Sequence, residues 1–152
     1  AKELAKSMIE NNNCDIIWGV AGLAGNGAAE AAQESGEAWF IGVDSDQELT
    51  LQEQLAAITL TSGLKNVGQS IVWIFDQWDA GNTYWGQEVT LGLKEGGVGI
   101  VTDKNFASVV PQAVQDMVLA AQAGIMDGSI VVPSALGDTT NGAQTLREAM
   151  KP

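Results

Sequence analysis

Two acids one residue apart, Asp44 and Asp46, end the stretch "AWFIGVDSDQ" (38–47), directly after an apolar run that closes at Val43. A carboxylate at the end of a strand can accept hydrogen bonds from a vicinal diol, the geometry that dinucleotide folds use on ribose. It can equally cap the helix that follows. A cation loop built from Asp44, Asp46 and Glu48 fits poorly, because an EF-hand would want Gly at 49 and Glu at 55, and both positions hold Leu. Lys65, in "ITLTSGLK" (58–65), is the second charge of interest. It is expected to start a helix, where the macrodipole disfavours a cation, so a compensating partner is expected and Asp44 is the obvious one. The third feature is "GVAGLAGNGAAE" (19–30), with Gly19, Gly22, Gly25 and Gly27 between a strand and a helix. Free N–H groups at a helix start suit a polar or anionic ligand atom. The same glycines can instead let the helix pack closely on the strand. Their spacing is not the Gly-x-Gly-x-x-Gly of dinucleotide sites. Lys94, in "GLKEGGVG", reads as a solvated turn charge.

Composition removes several classes of chemistry. The 152 residues contain no histidine, which excludes Ser-His and Cys-His nucleophiles. Seven Lys and Arg stand against nineteen Asp and Glu, a net charge of −12, and such a chain is a poor ligand for nucleic acid. Cys14 is the single cysteine, so it forms no internal disulfide; beside an apolar run it reads as inert core. The length suits about one domain, and no window holds the roughly 18 apolar residues of a membrane span. The chain opens on a helical pattern, "AKELAKSMIE", rather than a signal peptide, and Ala1 without a methionine suggests a processed or excised chain.

The elements that would position these groups follow from periodicity. A helix is predicted over 2–10, with Leu4, Met8 and Ile9 on one face and "NNN" (11–13) as its stop. "CDIIWGV" (14–20), "AWFIGV" (38–43) and "AITLTS" (57–62) read as strands, the first buried on both faces. Trp18, in the first of them, is either a core residue or a strand-end stacking platform. "AAEAAQES" reads as a helix closed by Gly36 in the left-handed conformation, and "LTLQEQLA" (49–56) as helical. The helix at 64–80 places Leu64, Val67, Ile71, Ile74, Phe75 and Trp78 in one apolar arc. Trp73 points away from that arc, among Asn66, Gln69 and Asp76; it is either simply tolerated there or marks a surface that meets another domain or subunit. "EVTLGL" (88–93) and "GIV" (99–101) look like further strand pieces. A helix follows over 108–123, with Ser108 as N-cap and Pro111 in its first turn, then a last strand "SIVV" (129–132) and a polar tail with one short helix. Strands alternating with helices give an α/β fold, a mostly parallel, doubly wound sheet with right-handed crossovers and helices on both faces. Ligands of such sheets bind beyond the carboxyl ends of the strands, which is where Asp44 falls.

Four segments, "DIIWGVAGLAGNG", "AWFIGVDSDQ", "ITLTSGLKNVG" and "VTLGLKEGGVGIV", occur in the order seen in the basic membrane protein family. The chain resembles the C-terminal half of these nucleoside-binding lipoproteins of bacterial ABC importers, the purine nucleoside receptor type. The resemblance implies one lobe of a type I periplasmic-binding-protein-like fold. Residues 1–133 would form the C-terminal lobe, with some segment after 85 belonging to the other lobe, and 134–152 would be a tail. It implies a binding protein and not an enzyme, with no metal and no cofactor. Asp44 and Lys65 would hold the ribose, Trp18 would stack the base, and Gly22 would bring backbone to the ligand. The implied partners are a nucleoside, a permease, the missing N-terminal lobe and a second copy of the chain. The full-length protein would be extracytoplasmic and lipid-anchored, with signal peptide and lipidated cysteine in the missing half; Cys14 lies inside the domain. Riboflavin, another flat ring bearing a hydroxylated chain, is the alternative ligand. A nucleotide-dependent enzyme domain is the alternative class, opposed by the glycine spacing and the lack of histidine.

Overall fold

A computed structural model describes residues 1–133 and 142–149. The predicted tail is described only at its helix, and 134–141 and 150–152 lie outside the described residues.

The core grows from small residues. Helix α1 (Lys2–Asn12) lies along helix α2 (Gly25–Ser35), and Ala5 shares one buried cluster with Ala28, Ala29, Ala31 and Ala32, with Ile9 packed against it. Alanines let two helix backbones approach closely, and Lys2 ties the pair by bridging Glu30 and Glu34 at 3.1 and 2.7 Å. Asn13 ends α1 and Gly36 ends α2, both in the left-handed conformation that the sequence predicts for Gly36. Under α2 run β1 (Ile16–Trp18) and β2 (Trp39–Asp44), whose Ile17 and Phe40 pair in register and face the alanines. Phe40 is fully buried and supplies about 2–3 kcal/mol of burial energy. The glycines at 19 and 25 belong to this packing: a Cβ on Gly19 would lie 2.6 Å from the Phe40 ring, and one on Gly25 would lie 2.6 Å from the Gly19 carbonyl.

Among the described residues the sheet has four strands in the order β1-β2-β3-β4. β1, β2 and β3 (Thr59–Lys65) are parallel, and β4 (Val98–Ile100) joins β3 antiparallel, so the fold is a mixed α/β layer around a mostly parallel sheet. Between β2 and β3 the predicted helix at 49–56 is two short helices, α3 (Gln47–Thr50) and α4 (Glu53–Ala56), separated by Leu51 and Gln52 in extended backbone. Leu55 of α4 completes the core beneath α2. Cys14 packs at the edge of this core, as its sequence context predicts.

Several expectations are corrected. β1 is buried on one face only: Ile17 is covered, while Ile16 and Trp18 are 46% and 61% exposed. Right-handed crossovers between sequential parallel strands put α2 and α4 on the same face. The opposite face carries the half-buried Trp39, Ile41 and Val43 beside the exposed residues of β1. Leu4, predicted on the buried face of α1, is exposed; Ala5 takes its place.

Helix α5 (Val67–Asp79) buries none of its residues, and the arc Val67, Ile71, Ile74, Phe75 and Trp78 is exposed. Trp73, on its polar side, is half-buried against Tyr84 with ring centroids 5.3 Å apart. The apolar arc is therefore not the buried side that its periodicity predicts, and Trp73 is the better covered aromatic. Residues 88–93 form no strand, since no strand among the described residues lies beside them to pair with, and the same holds for 129–132, where Val131 is exposed. The predicted helix at 108–123 is two: α6 (Lys104–Val109) and α7 (Gln112–Asp127). Pro111 pushes Val110 into extended backbone and so divides them, and Ser108 lies inside α6 instead of capping α7. The last described helix is α8 (Gly142–Ala149). Among the described residues no helix is long and apolar enough to cross a membrane.

Candidate functional site

β2 and β3 end side by side, with Asp44 opposite Leu64 in the register, so the next residue of β3, Lys65, projects beside the acid. The Lys65 Nζ lies 3.0 Å from Asp44 Oδ1, and both side chains are about half exposed. Lys65 is a strand residue, paired with Val98 of β4, and α5 begins two residues later after the N-cap Asn66. The expected helix start at Lys65 is corrected accordingly. Its ion pair with Asp44 forms as the sequence suggests.

Asp44 has φ of +69°, a left-handed conformation that costs an L-residue roughly 1–2 kcal/mol, less for Asp than for most. An exposed ion pair returns only about 0–1 kcal/mol. Stability alone therefore gives little reason for this arrangement. The turn is instead fixed by its neighbours. Gln47 accepts a hydrogen bond from the Val43 amide at 3.0 Å through Oε1, donates its own amide to Ser62 Oγ at 3.0 Å, and donates Nε2 to Asn26 Oδ1 at 3.3 Å. Asp46 is the N-cap of α3, accepting from the Glu48 amide at 3.2 Å, which is the capping role the sequence permits. Asp46 also pairs with Lys104 at 2.9 Å, and Glu48 accepts the Asn105 amide at 3.4 Å.

A cleft of about 390 Å³ opens on this side of the sheet edge, lined by Gly22, Leu23, Asn26, Asp44, Gln47 and Thr50, among others. Gly22 has φ of +53° with open space where a Cβ would be, so of the four glycines it is the one turned to the cleft. Gly22 and Asp44 thus share one cavity; Lys65 pairs with Asp44 but does not line it. Trp18 stands apart, lining a separate groove with Leu4 and Met8. Its ring edge nevertheless approaches β3: Cζ2 lies 3.9 Å from where a Cβ on Gly63 would be, two residues before Lys65. The core reading of Trp18 is removed by its exposure. Lys94 is an exposed turn residue, as predicted.

Sequence reasoning missed Asn26, Gln47, Ser62 and Lys104. Gln47 directly follows the two acids and could have been suspected from its place. Lys104 is 58 positions from Asp46, and nothing local to "TDKNF" announces the contact.

Residues 1–135 match the family model Bmp, described as ABC transporter substrate-binding protein PnrA-like. Basic membrane protein A of Borreliella afzelii is 33% identical over 125 residues, covering 81% of this chain and 36% of that protein. The ABC transporter nucleoside-binding protein BmpA of Lactococcus lactis subsp. cremoris is 31% identical over 145 residues, covering 88% of this chain and 40% of its own length. Among solved structures, an ABC transporter solute-binding protein from Aeropyrum pernix superposes with a TM-score of 0.64 at 24% identity, over 97% of this chain and 47% of the other. One from Conexibacter woesei gives 0.62 at 21% identity, over 87% and 41%. These two share the fold. The chain spans about a third of the length of the curated relatives it matches, from 27% to 40%.

Proposed function

The chain belongs to the Bmp family of PnrA-like ABC transporter substrate-binding proteins, and from that premise we propose that it is the ribose-gripping lobe of a nucleoside-binding protein serving an importer. The observation that carries the reading is the Asp44–Lys65 pair at the shared end of β2 and β3. A diol entering between these groups finds an acceptor on one side and a donor on the other, so both hydroxyls are polarised and satisfied. Gly22 supplies a backbone wall without a side chain, and the exposed Trp18 offers a flat face for a purine. A relative from Lactococcus named as nucleoside-binding supports the ligand class. The role is binding, not catalysis: ligand stabilises a closed arrangement of two lobes, and a permease reads that arrangement. The full-length protein would sit outside the cytoplasm on a lipid anchor.

One lobe provides only part of a clamp. Titration calorimetry of the 152-residue chain with inosine is expected to give an affinity weaker than micromolar, near the roughly −4 kcal/mol of a millimolar complex. Micromolar or tighter binding would contradict the two-lobe reading.

The exposed arc of α5 fits the same picture. With Tyr84 and Trp85 it borders an apolar hollow of about 400 Å³, and Trp78 meets Trp85 edge to face at 5.7 Å. We assign this surface to contact with the remainder of the longer protein. Standing alone, the chain is expected to self-associate through this arc. Association should strengthen as salt screens its charge of −12. A sedimentation profile that stays monomeric at high protein and salt concentration would count against that surface.

A further inference from the structure

The segment that runs from β4 into α6 touches both halves of the proposed site. At its start, Val98 pairs with Lys65 and fixes the end of β3. At its end, the Lys104 ammonium lies 2.9 Å from Asp46 Oδ2 and 2.9 Å from Asp103 Oδ1. Asn105 then donates its amide to Glu48 at 3.4 Å and its side-chain Nδ2 to the carbonyls of Ala56 and Thr59, both at 2.9 Å. Lys104 itself has φ of +48°, a left-handed conformation that lysine seldom takes. The Asp46 side chain is only 19% exposed, so this ion pair is better shielded from solvent than the one between Asp44 and Lys65. Hydrogen bonds that the Lys104 ammonium donates to Asp46 and then to Asp103 hold its pKa above the usual lysine range.

We propose that Lys104 is a positioning residue for the ligand rim, a strap end that holds Asp46 and, through the one intervening residue Ser45, the strained turn that aims Asp44. No ligand contact is assigned to Lys104. The inference rests on reading Asp44 as a ligand residue, and it adds a distant element on which that residue depends. The geometry is economical: Asp46 caps α3 with one oxygen and receives the lysine on the other, so a single carboxylate couples the turn to the helix and to the strap.

The test uses the full 152-residue chain and three variants: Lys104→Met, which keeps the stem and removes the charge, Lys104→Arg, and Asp103→Asn. Amide hydrogen exchange is followed at Val43 and Glu48, with Ala29 in α2 as the control for global unfolding. Inosine is titrated at millimolar concentration by amide chemical shifts. Lys104→Met is expected to speed exchange at Val43 and Glu48 by about tenfold, a local opening, while Ala29 stays unchanged. It should weaken inosine binding about three- to tenfold, and Lys104→Arg should restore most of both effects. Asp103→Asn should change little, because the contact to Asp46 remains. Unchanged exchange at Val43 and Glu48 in Lys104→Met would overturn the proposal. So would faster exchange with undiminished inosine affinity, which would reduce the strap to a stabilising contact. If inosine fails to perturb residues 43–47 even in the unsubstituted chain, the nucleoside reading falls; the strap is then judged on exchange alone, where a tenfold change at the turn upholds its hold on Asp44.

Discussion

Asp44→Gly is expected to lose nucleoside binding while leaving the fold as stable as before. Glycine accepts φ of +69° without strain, so the substitution removes the carboxylate and relieves the backbone together. The exposed pair with Lys65 contributes about 0–1 kcal/mol, and the unfolded-state entropy of glycine costs a similar amount, so the melting temperature should move by only a few degrees. Binding has no such compensation. A hydrogen bond from a ligand hydroxyl to a charged acceptor is worth about 1.5–3 kcal/mol, so affinity should fall roughly 10- to 150-fold. Since the starting affinity is itself expected near millimolar, no shift should be detectable at accessible inosine concentrations. Lys65→Met should act in the same direction through loss of the donor. A variant Asp44→Gly that melts normally and still binds inosine as tightly as the parent chain would remove Asp44 from the site. Asp44→Val separates the two effects from the other side: a β-branched residue at positive φ should cost about 1–2 kcal/mol of stability as well as binding.

Phe40→Ala is expected to unfold the chain, or leave it at the edge of unfolding. Phe40 is fully buried between α2 and the sheet, and Gly19 already packs against its ring so closely that no rearranged side chain there can fill the gap. Truncations of buried phenylalanine cost about 3–5 kcal/mol, a large part of the 5–15 kcal/mol that holds an ordinary domain together. The remaining core is mostly alanine, which cannot collapse into the space left behind. Urea denaturation monitored by circular dichroism should give a midpoint far below that of the parent chain. A loss of less than about 1 kcal/mol would mean that the core lies elsewhere. Conversely, Trp18→Ala should leave the midpoint nearly unchanged, because that ring stands out of the core.

How far the sequence revealed this arrangement depended on whether the signal was local. Asp44 was legible because it ends a strand, and Lys65 because it follows one, although it was expected to open a helix and instead closes β3; parallel strands with right-handed crossovers bring their carboxyl ends to one edge. The helix stop at Gly36 and the cap at Asp46 were likewise legible from neighbouring residues. Burial was harder to read. The apolar arc of α5 was detected correctly as an arc, but periodicity reports that a face is apolar and not what covers it; among the described residues none buries it. β1 looked buried on both sides for the same reason, whereas the helices reached by its crossovers gather on one. "EVTLGL" and "SIVV" have strand-forming residues, yet a strand exists only through the ladder it joins, and neither segment has a neighbour to join. The split between α6 and α7 was available in principle, since Pro111 disfavours helical backbone at Val110. The Lys104–Asp46 contact was not available, because a pair 58 residues apart leaves no periodic or local trace.

Comparing inosine with its 2′-deoxy counterpart by amide chemical-shift titration of this chain tests the grip on the sugar most directly. Inosine should perturb Gly22, residues 43–47 and Gly63 to Lys65, and loss of the 2′-hydroxyl should weaken it at least about tenfold, so that at matched concentration those shifts shrink toward the detection limit. Equal affinity for the two nucleosides, or shifts confined to the α5 hollow around Trp78 and Trp85, would contradict the account.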